Sequence, residues 1–202
     1  MRSSRFYRAC YCIARFFIGI FCRIDISGRE NIPEGSAMIC ANHSAMLDPF
    51  LIAFAFGMNS QMHVVAKAEL FRIPVLSWML RTLGMISVNR GMSDMATIKS
   101  TLNYLKGGEK VVIFPEGTRT STDDSVSAKN GAVRLAERAG VPVIPFFIPR
   151  RKPLFHTIQV VIGVPYKIEK QYEKRTAEEY AELADRLMEK IKALNPKVRT
   201  EN

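Results

Sequence analysis

The chain offers no Cys-x-x-Cys pair. Its cysteines, Cys10, Cys12, Cys22 and Cys40, are spaced for neither a zinc site nor a disulfide framework, so no metal is expected. Three of them lie in an apolar N-terminal stretch, where they read as small buried or lipid-facing thiols in a reducing compartment. A long hydrophobic run is also missing. In the N-terminal stretch the longest uncharged apolar run, 16–22, is far short of the ~18–20 residues that cross a bilayer, and no small-residue cleavage site follows it. Neither a transmembrane helix nor a secretory signal is therefore expected. There is no internal repeat, no low-complexity tract and no Gly-x-Ser-x-Gly elbow of the α/β hydrolases. Zinc-finger spacing, a basic-aromatic base-stacking motif and a basic recognition helix are lacking as well, which argues against nucleic acid as the partner.

What is present is enough apolar sequence for one core and an excess of positive charge. The 202 residues are 48% hydrophobic, and 29 Lys and Arg stand against 19 Asp and Glu, a formal net charge of +10. With nucleic acid set aside, that charge favours anionic membrane lipids. In the segment 2–26, Arg5, Arg8, Arg15 and Arg23 gather on one side of a helical wheel, and Phe6, Ile13, Phe17, Ile20 and Phe21 take the opposite arc. This is the pattern of an in-plane interfacial helix. A helix that docks its apolar face on its own domain has the same pattern. The expected organisation is an anchoring segment, 1–26, followed by one domain, 27–202.

Beyond residue 28 the chain alternates short apolar runs with helical periodicity. Segments 36–41, 62–66, 85–88, 110–114, 141–148 and 158–164 read as strands, several apolar throughout as in buried parallel sheets. Segments 48–56, 70–83, 94–105, 128–139 and 177–194 read as helices, with Gly140 and Gly107-Gly108 as stops. The order implies an α/β fold with a largely parallel central sheet flanked by helices, whose site lies at the C-terminal ends of the strands. The Ser- and Thr-rich segment 121–127 reads as a loop beside that site.

Two motifs follow predicted strands. Asn42-His43-Ser44-Ala45-Met46-Leu47-Asp48-Pro49 places a candidate general base five positions before a carboxylate at a helix start. Asp48 could reach the imidazole, fix its tautomer and stabilise its protonated form. Ser44 adjoins His43, so a nucleophilic serine stays open. Phe114-Pro115-Glu116-Gly117-Thr118-Arg119 leaves a strand into a turn in which Arg119 offers a planar fork for phosphate oxygens. Glu116 could accept from a substrate hydroxyl or hold Arg119 in place.

With Gly84-Met85-Ile86-Ser87-Val88-Asn89-Arg90 between them and Val141-Pro142-Val143-Ile144-Pro145 after them, these motifs resemble the four ordered blocks of the glycerolipid acyltransferases, nearest to the 1-acylglycerol-3-phosphate (lysophosphatidic acid) acyltransferases. The stretches from Lys67 to Pro74 and from Lys129 to Ala132 are also family-like. The resemblance implies a glycerol-3-phosphate acyltransferase-like fold and transfer of an acyl group from acyl-CoA or acyl carrier protein to lysophosphatidic acid, giving phosphatidic acid. It implies no cofactor. His43 would be the base and Asp48 its orienter. Arg119 would bind the acceptor phosphate in a pocket shaped by Glu116, Gly117 and Thr118, with Arg90 and Lys67 as further candidates for the same anion. Ser87-Val88-Asn89 is more polar than the second block usually is, a departure that bears on the acceptor rather than the reaction. A monotopic or peripheral protein on the cytoplasmic face of the cell membrane is expected. Another lysolipid or glycerol 3-phosphate as acceptor, and hydrolysis of a thioester or lysolipid, are the alternatives.

Overall fold

The computed structural model describes residues 4–89, 95–120, 128–173 and 175–196. These form one seven-stranded sheet in the order β1-β7-β6-β2-β5-β3-β4. The strands are β1 (Arg23–Ser27), β2 (Ala37–Ala41), β3 (Met62–Lys67), β4 (Ile86–Val88), β5 (Lys110–Ile113), β6 (Val143–Phe147) and β7 (Thr157–Ile162). From β6 to β4 every neighbouring pair is parallel, and β7 turns antiparallel against β6 and carries β1 parallel to itself. A largely parallel sheet is thus present. The helices are α1 (Arg5–Phe21), α2 (Asp48–Phe56), α3 (Pro74–Thr82), α4 (Met95–Lys106), α5 (Gly131–Ala139) and α6 (Ala177–Ala193).

The central strand β2, Ala-Met-Ile-Cys-Ala, is fully buried because both faces of the sheet are covered. Ala37, Ile39 and Ala41 face a layer that includes Leu51, Ile52 and Phe54 of α2. Met38 and Cys40 face the other layer, with Ala132, Val133 and Ala136 of α5 and Leu187 and Ile191 of α6. Helix α2 is apolar nearly all round because it lies between the sheet and α1. Each large side chain that it buries contributes about 1.5–3 kcal/mol, enough to fix the position of its first residue, Asp48. Gly140, at φ +69°, closes α5 as a left-handed C-cap.

Three features differ from expectation. The N-terminal helix ends at Phe21, and Arg23–Ser27 pairs with Thr157–Val161 as a strand, so Arg23 leaves the helical arc of arginines. The stretch expected as one helix over 70–83 is a 3-10 turn, Ala68–Arg72, followed by α3. Pro74 has no N–H to donate and holds Ile73 extended at φ −85°, ψ 115°, which starts a new helix there. Helix α5 begins at Gly131, three residues later than expected.

Helix α1 docks and still leaves an apolar face outward. Tyr7, Tyr11, Ala14 and Ile18 turn toward the domain, with Tyr11 edge-on to Phe54 at 5.2 Å between ring centroids. Ile13, Phe16, Phe17, Ile20 and Phe21 are exposed. Among the described residues no helix is long and apolar enough to cross a membrane.

Candidate active site

The parallel strands deliver their successors to one end of the sheet. His43 follows β2, Glu116 follows β5, and Lys67 ends β3. Asn42 fixes where the first of these chains departs: its side-chain Nδ2 donates to the carbonyl of Ile148 at 2.7 Å, and its Oδ1 accepts from the Ile148 amide at 2.8 Å. This adds a side-chain rung to the β2–β6 ladder just beyond its last backbone pair, Ala41 with Phe146.

His43 Nδ1 lies 2.9 Å from Oδ2 of Asp48, whose side chain is wholly inaccessible. The same Oδ2 accepts from the backbone amides of Ser44 at 2.7 Å and Ala45 at 2.9 Å, so one oxygen both orients the ring and closes the turn carrying it. The ring stacks on Phe114 with centroids 4.0 Å apart. In the neutral ring, a proton on Nδ1 suits this contact and leaves the Nε2 lone pair for a substrate proton. Burial alone would raise the Asp48 pKa. Hydrogen bonds from His43, the Ala45 amide, Lys152 and the Ser44 amide outweigh it and hold the carboxyl below the usual carboxylate range.

Two cations absent from the expected set complete the site. Lys152 Nζ meets the second Asp48 oxygen, Oδ1, at 2.8 Å. Arg150 makes a two-nitrogen contact with Glu116, Nη2 to Oε1 at 2.6 Å and Nη1 to Oε2 at 3.4 Å. Both follow β6, at the same end of the sheet as His43. The Arg-Arg-Lys run at 150–152, directly after a predicted strand, was the sequence signal for them.

Glu116 faces inward. Its Oε2 accepts from the His43 amide at 3.2 Å and from the Thr120 hydroxyl at 2.9 Å, and the Thr120 amide donates to the His43 carbonyl at 2.9 Å. The guanidinium that it holds is that of Arg150, in place of Arg119. The two motifs are thereby joined through their backbones, while Thr118 and Arg119 stand exposed at the turn. Lys67 is half-exposed and pairs with Glu69 at 3.1 Å. Arg90 and the segment 121–127 lie outside the described residues.

Gly117 adopts φ +67°, which L side chains resist, and a Cβ there would stand 2.8 Å from the Lys129 side chain. Gly117→Ala is expected to lower stability by about 1–3 kcal/mol, read as a shift of the urea-unfolding midpoint with the slope unchanged.

Ser44 is engaged elsewhere. Its hydroxyl donates to the Arg150 carbonyl at 3.1 Å and accepts from Lys152 at 2.7 Å, which turns it away from a nucleophile's role. Of the other histidines, buried His63 pairs with Glu109 at 2.6 Å near the N-terminal ends of β3 and β5, and exposed His156 bonds the Leu154 carbonyl. A cavity of about 510 Å³ opens beside His63, at the opposite end of the sheet from His43. Among the described residues no group of three or more His, Cys, Asp or Glu is placed to hold a metal ion.

The family model described as Acyltransferase matches residues 23–149, from β1 to just past β6. A 1-acyl-sn-glycerol-3-phosphate acyltransferase from Bacillus subtilis is 29% identical over 198 residues, 95% of this chain and 98% of the relative. Proteins of the same description from Borreliella burgdorferi and Pseudomonas aeruginosa are each 34% identical, over 68% and 75% of this chain. The chain spans 55% and 61% of their respective lengths. The crystal structure of the 1-acyl-sn-glycerophosphate (LPA) acyltransferase PlsC from Thermotoga maritima superposes with a TM-score of 0.66 at 26% identity, covering 93% of this chain and 78% of that one.

Proposed function

The chain belongs to the Acyltransferase family, and from that premise we propose that it is an O-acyltransferase that moves a fatty acyl group from a thioester to the free hydroxyl of lysophosphatidic acid, forming phosphatidic acid. The observation that carries this reading is the 2.9 Å contact between His43 Nδ1 and the inaccessible Asp48, which leaves Nε2 to accept a proton. The acceptor oxygen attacks the thioester carbonyl carbon as its proton passes to Nε2. The tetrahedral intermediate then breaks its carbon–sulfur bond, and the departing thiolate recovers the proton from the imidazolium. The engaged hydroxyl of Ser44 favours direct transfer, without an acyl-enzyme. Acyl-CoA and acyl carrier protein are both donors of suitable chemistry.

Arg119, exposed beside the His43 loop, is the candidate ligand of the acceptor phosphate, with Thr118 and Gly117 shaping the turn that presents it. Arg90 and Lys67 remain further candidates for the same anion. Glu116 contributes by holding Arg150 and the His43 amide. Losing a charge-assisted hydrogen bond costs about 1.5–3 kcal/mol. Arg119→Ala is therefore expected to raise the acceptor KM by roughly 10- to 100-fold and the thioester KM far less. An unchanged acceptor KM would remove the phosphate from this residue.

Membrane association at the cytoplasmic face is part of the proposal, with 1–26 as the anchoring segment. The exposed Ile13, Phe16, Phe17, Ile20 and Phe21 of α1 adjoin Phe155, whose ring lies 6.1 Å from that of Phe21. Phe155 is a non-glycine residue at φ +62°, yet it is largely exposed, as is Leu154. A left-handed backbone that turns an aromatic ring outward suits insertion among lipid chains. The loop that carries Arg150 and Lys152 thus continues into this apolar surface.

The deciding experiment incubates the purified protein with labelled acyl-CoA, acyl carrier protein thioesters and a panel of lysolipids, and identifies products by mass spectrometry. Phosphatidic acid that requires lysophosphatidic acid is the expected product. Free fatty acid released at the same rate with and without acceptor would replace the transferase with a hydrolase.

A further inference from the structure

Lys152 sits where a His–Asp pair alone would need nothing. Its side chain is 6% exposed; its Nζ donates to Ser44 Oγ at 2.7 Å and to the Pro149 carbonyl at 2.7 Å, and forms an ion pair with Asp48 Oδ1 at 2.8 Å. The serine hydroxyl spends its own proton on the Arg150 carbonyl. Ser44 and Pro149 therefore both receive from the lysine, and its third contact is the ion pair with the far carboxylate oxygen of Asp48.

Four charges, two buried and two largely shielded from solvent, are in contact with the His43 segment. Asp48 comes from α2, Glu116 from the turn after β5, and Arg150 and Lys152 from the loop after β6; Phe114 covers the ring face without charge. Two negative and two positive groups cancel, so the cluster is neutral when His43 is neutral. Without Lys152 the cluster would carry one uncompensated negative charge in a site poor in solvent. The nearest group able to offset it is the His43 imidazole, by keeping a proton on both nitrogens. An imidazolium has no lone pair at Nε2 and cannot accept a proton.

We propose that Lys152 is a positioning residue that acts through Asp48: it neutralises the far carboxylate oxygen, so that Asp48 can orient His43 without holding it in the protonated, inactive form. The role in turnover rests on the acyltransferase reading, whereas the effect on His43 protonation does not.

The test uses the full chain labelled with 15N-histidine. Three histidines are present, His43, His63 and His156, and the His43 signals are those lost in His43→Gln. In the unsubstituted protein at about pH 7, His43 is expected as a neutral ring protonated at Nδ1; an imidazolium there would overturn the proposal. In Lys152→Met the midpoint of the His43 titration should rise by about one pH unit or more. kcat at neutral pH should then fall by up to about tenfold, recover as the pH is raised toward about 9, and leave the acceptor KM nearly unchanged. An unmoved midpoint, or a loss of kcat that alkaline pH does not restore, would reduce Lys152 to a structural contact and sink the idea. Lys152→Gln removes the charge while keeping a hydrogen-bonding group, and it carries the same test should the methionine variant fail to fold. If no thioester is turned over at all, the enzymatic reading fails while the titration still judges Lys152.

Discussion

Replacing His43 with alanine is expected to lower kcat by about 10³-fold or more while leaving a folded protein and an acceptor KM within a few-fold of the original. The expectation follows from the ring's position. Its Nδ1 is tied to Asp48 at 2.9 Å, its face rests on Phe114, and it follows the C-terminal end of the central strand β2. No other described side chain beside it is free to take the acceptor's proton. Asp48 is buried behind it, Glu116 is bound to Arg150, and Ser44 is held by Lys152. The ring is near the surface of the site, so its removal should change stability by only about 1 kcal/mol. The measurement is steady-state transfer at saturating thioester and lysophosphatidic acid, with thermal unfolding as the control. A folded variant with near-normal turnover would remove His43 from the mechanism.

Asp48→Asn should be nearly as damaging to turnover and much worse for stability. An asparagine sets donor against donor in either orientation. Turned one way, its amide nitrogen faces His43 Nδ1 and the amides of Ser44 and Ala45; turned the other, it faces the Lys152 ammonium. The imidazole would lose the partner that fixes its tautomer, a change that costs about 10⁴ in kcat in the serine-protease triad. Leaving Lys152 buried without its counter-charge costs about 3–5 kcal/mol. The pH dependence has a definite sign. Asp48 is held below its unfolded value, so its contribution to stability is present above the ordinary carboxylate range and lost as pH falls through the lower, folded pKa. The stability gap between the original protein and Asp48→Asn should therefore be full at pH ~7 and shrink below pH ~4, as measured by urea unfolding at both. A gap that persists undiminished in acid would mean that Asp48 contributes by shape rather than by charge.

Some elements were legible because a single local rule governed them. The helix over 48–56 was read with the bounds it has in the structure, since Pro49 stands in its first turn and an uninterrupted apolar run follows. The strands at 36–41 and 110–114 were readable as continuous apolar runs because both faces of the sheet are covered. Where rules competed, the reading failed. Arg23-Ile24-Asp25-Ile26-Ser27 alternates with a period of two and packs that way, with Ile24 and Ile26 turned inward. The strong helical pattern immediately before it carried the expected helix across the boundary. A helical period also ran over Ile73-Pro74, although proline's missing donor starts a fresh helix there.

The sequence by itself determined the α/β alternation, the family resemblance and the pairing of His43 with Asp48. These depend on residues close together along the chain, whose spacing and local backbone rules bring them within reach. Only the tertiary structure decided that Glu116 holds Arg150 rather than Arg119, that Lys152 neutralises Asp48 from 104 positions away, and that α1 docks on the domain while an apolar arc stays outward. Each of these depends on which strand ends the parallel sheet sets side by side. A salt bridge between distant residues forms only where the fold brings both out of water together, and no spacing along the chain records that.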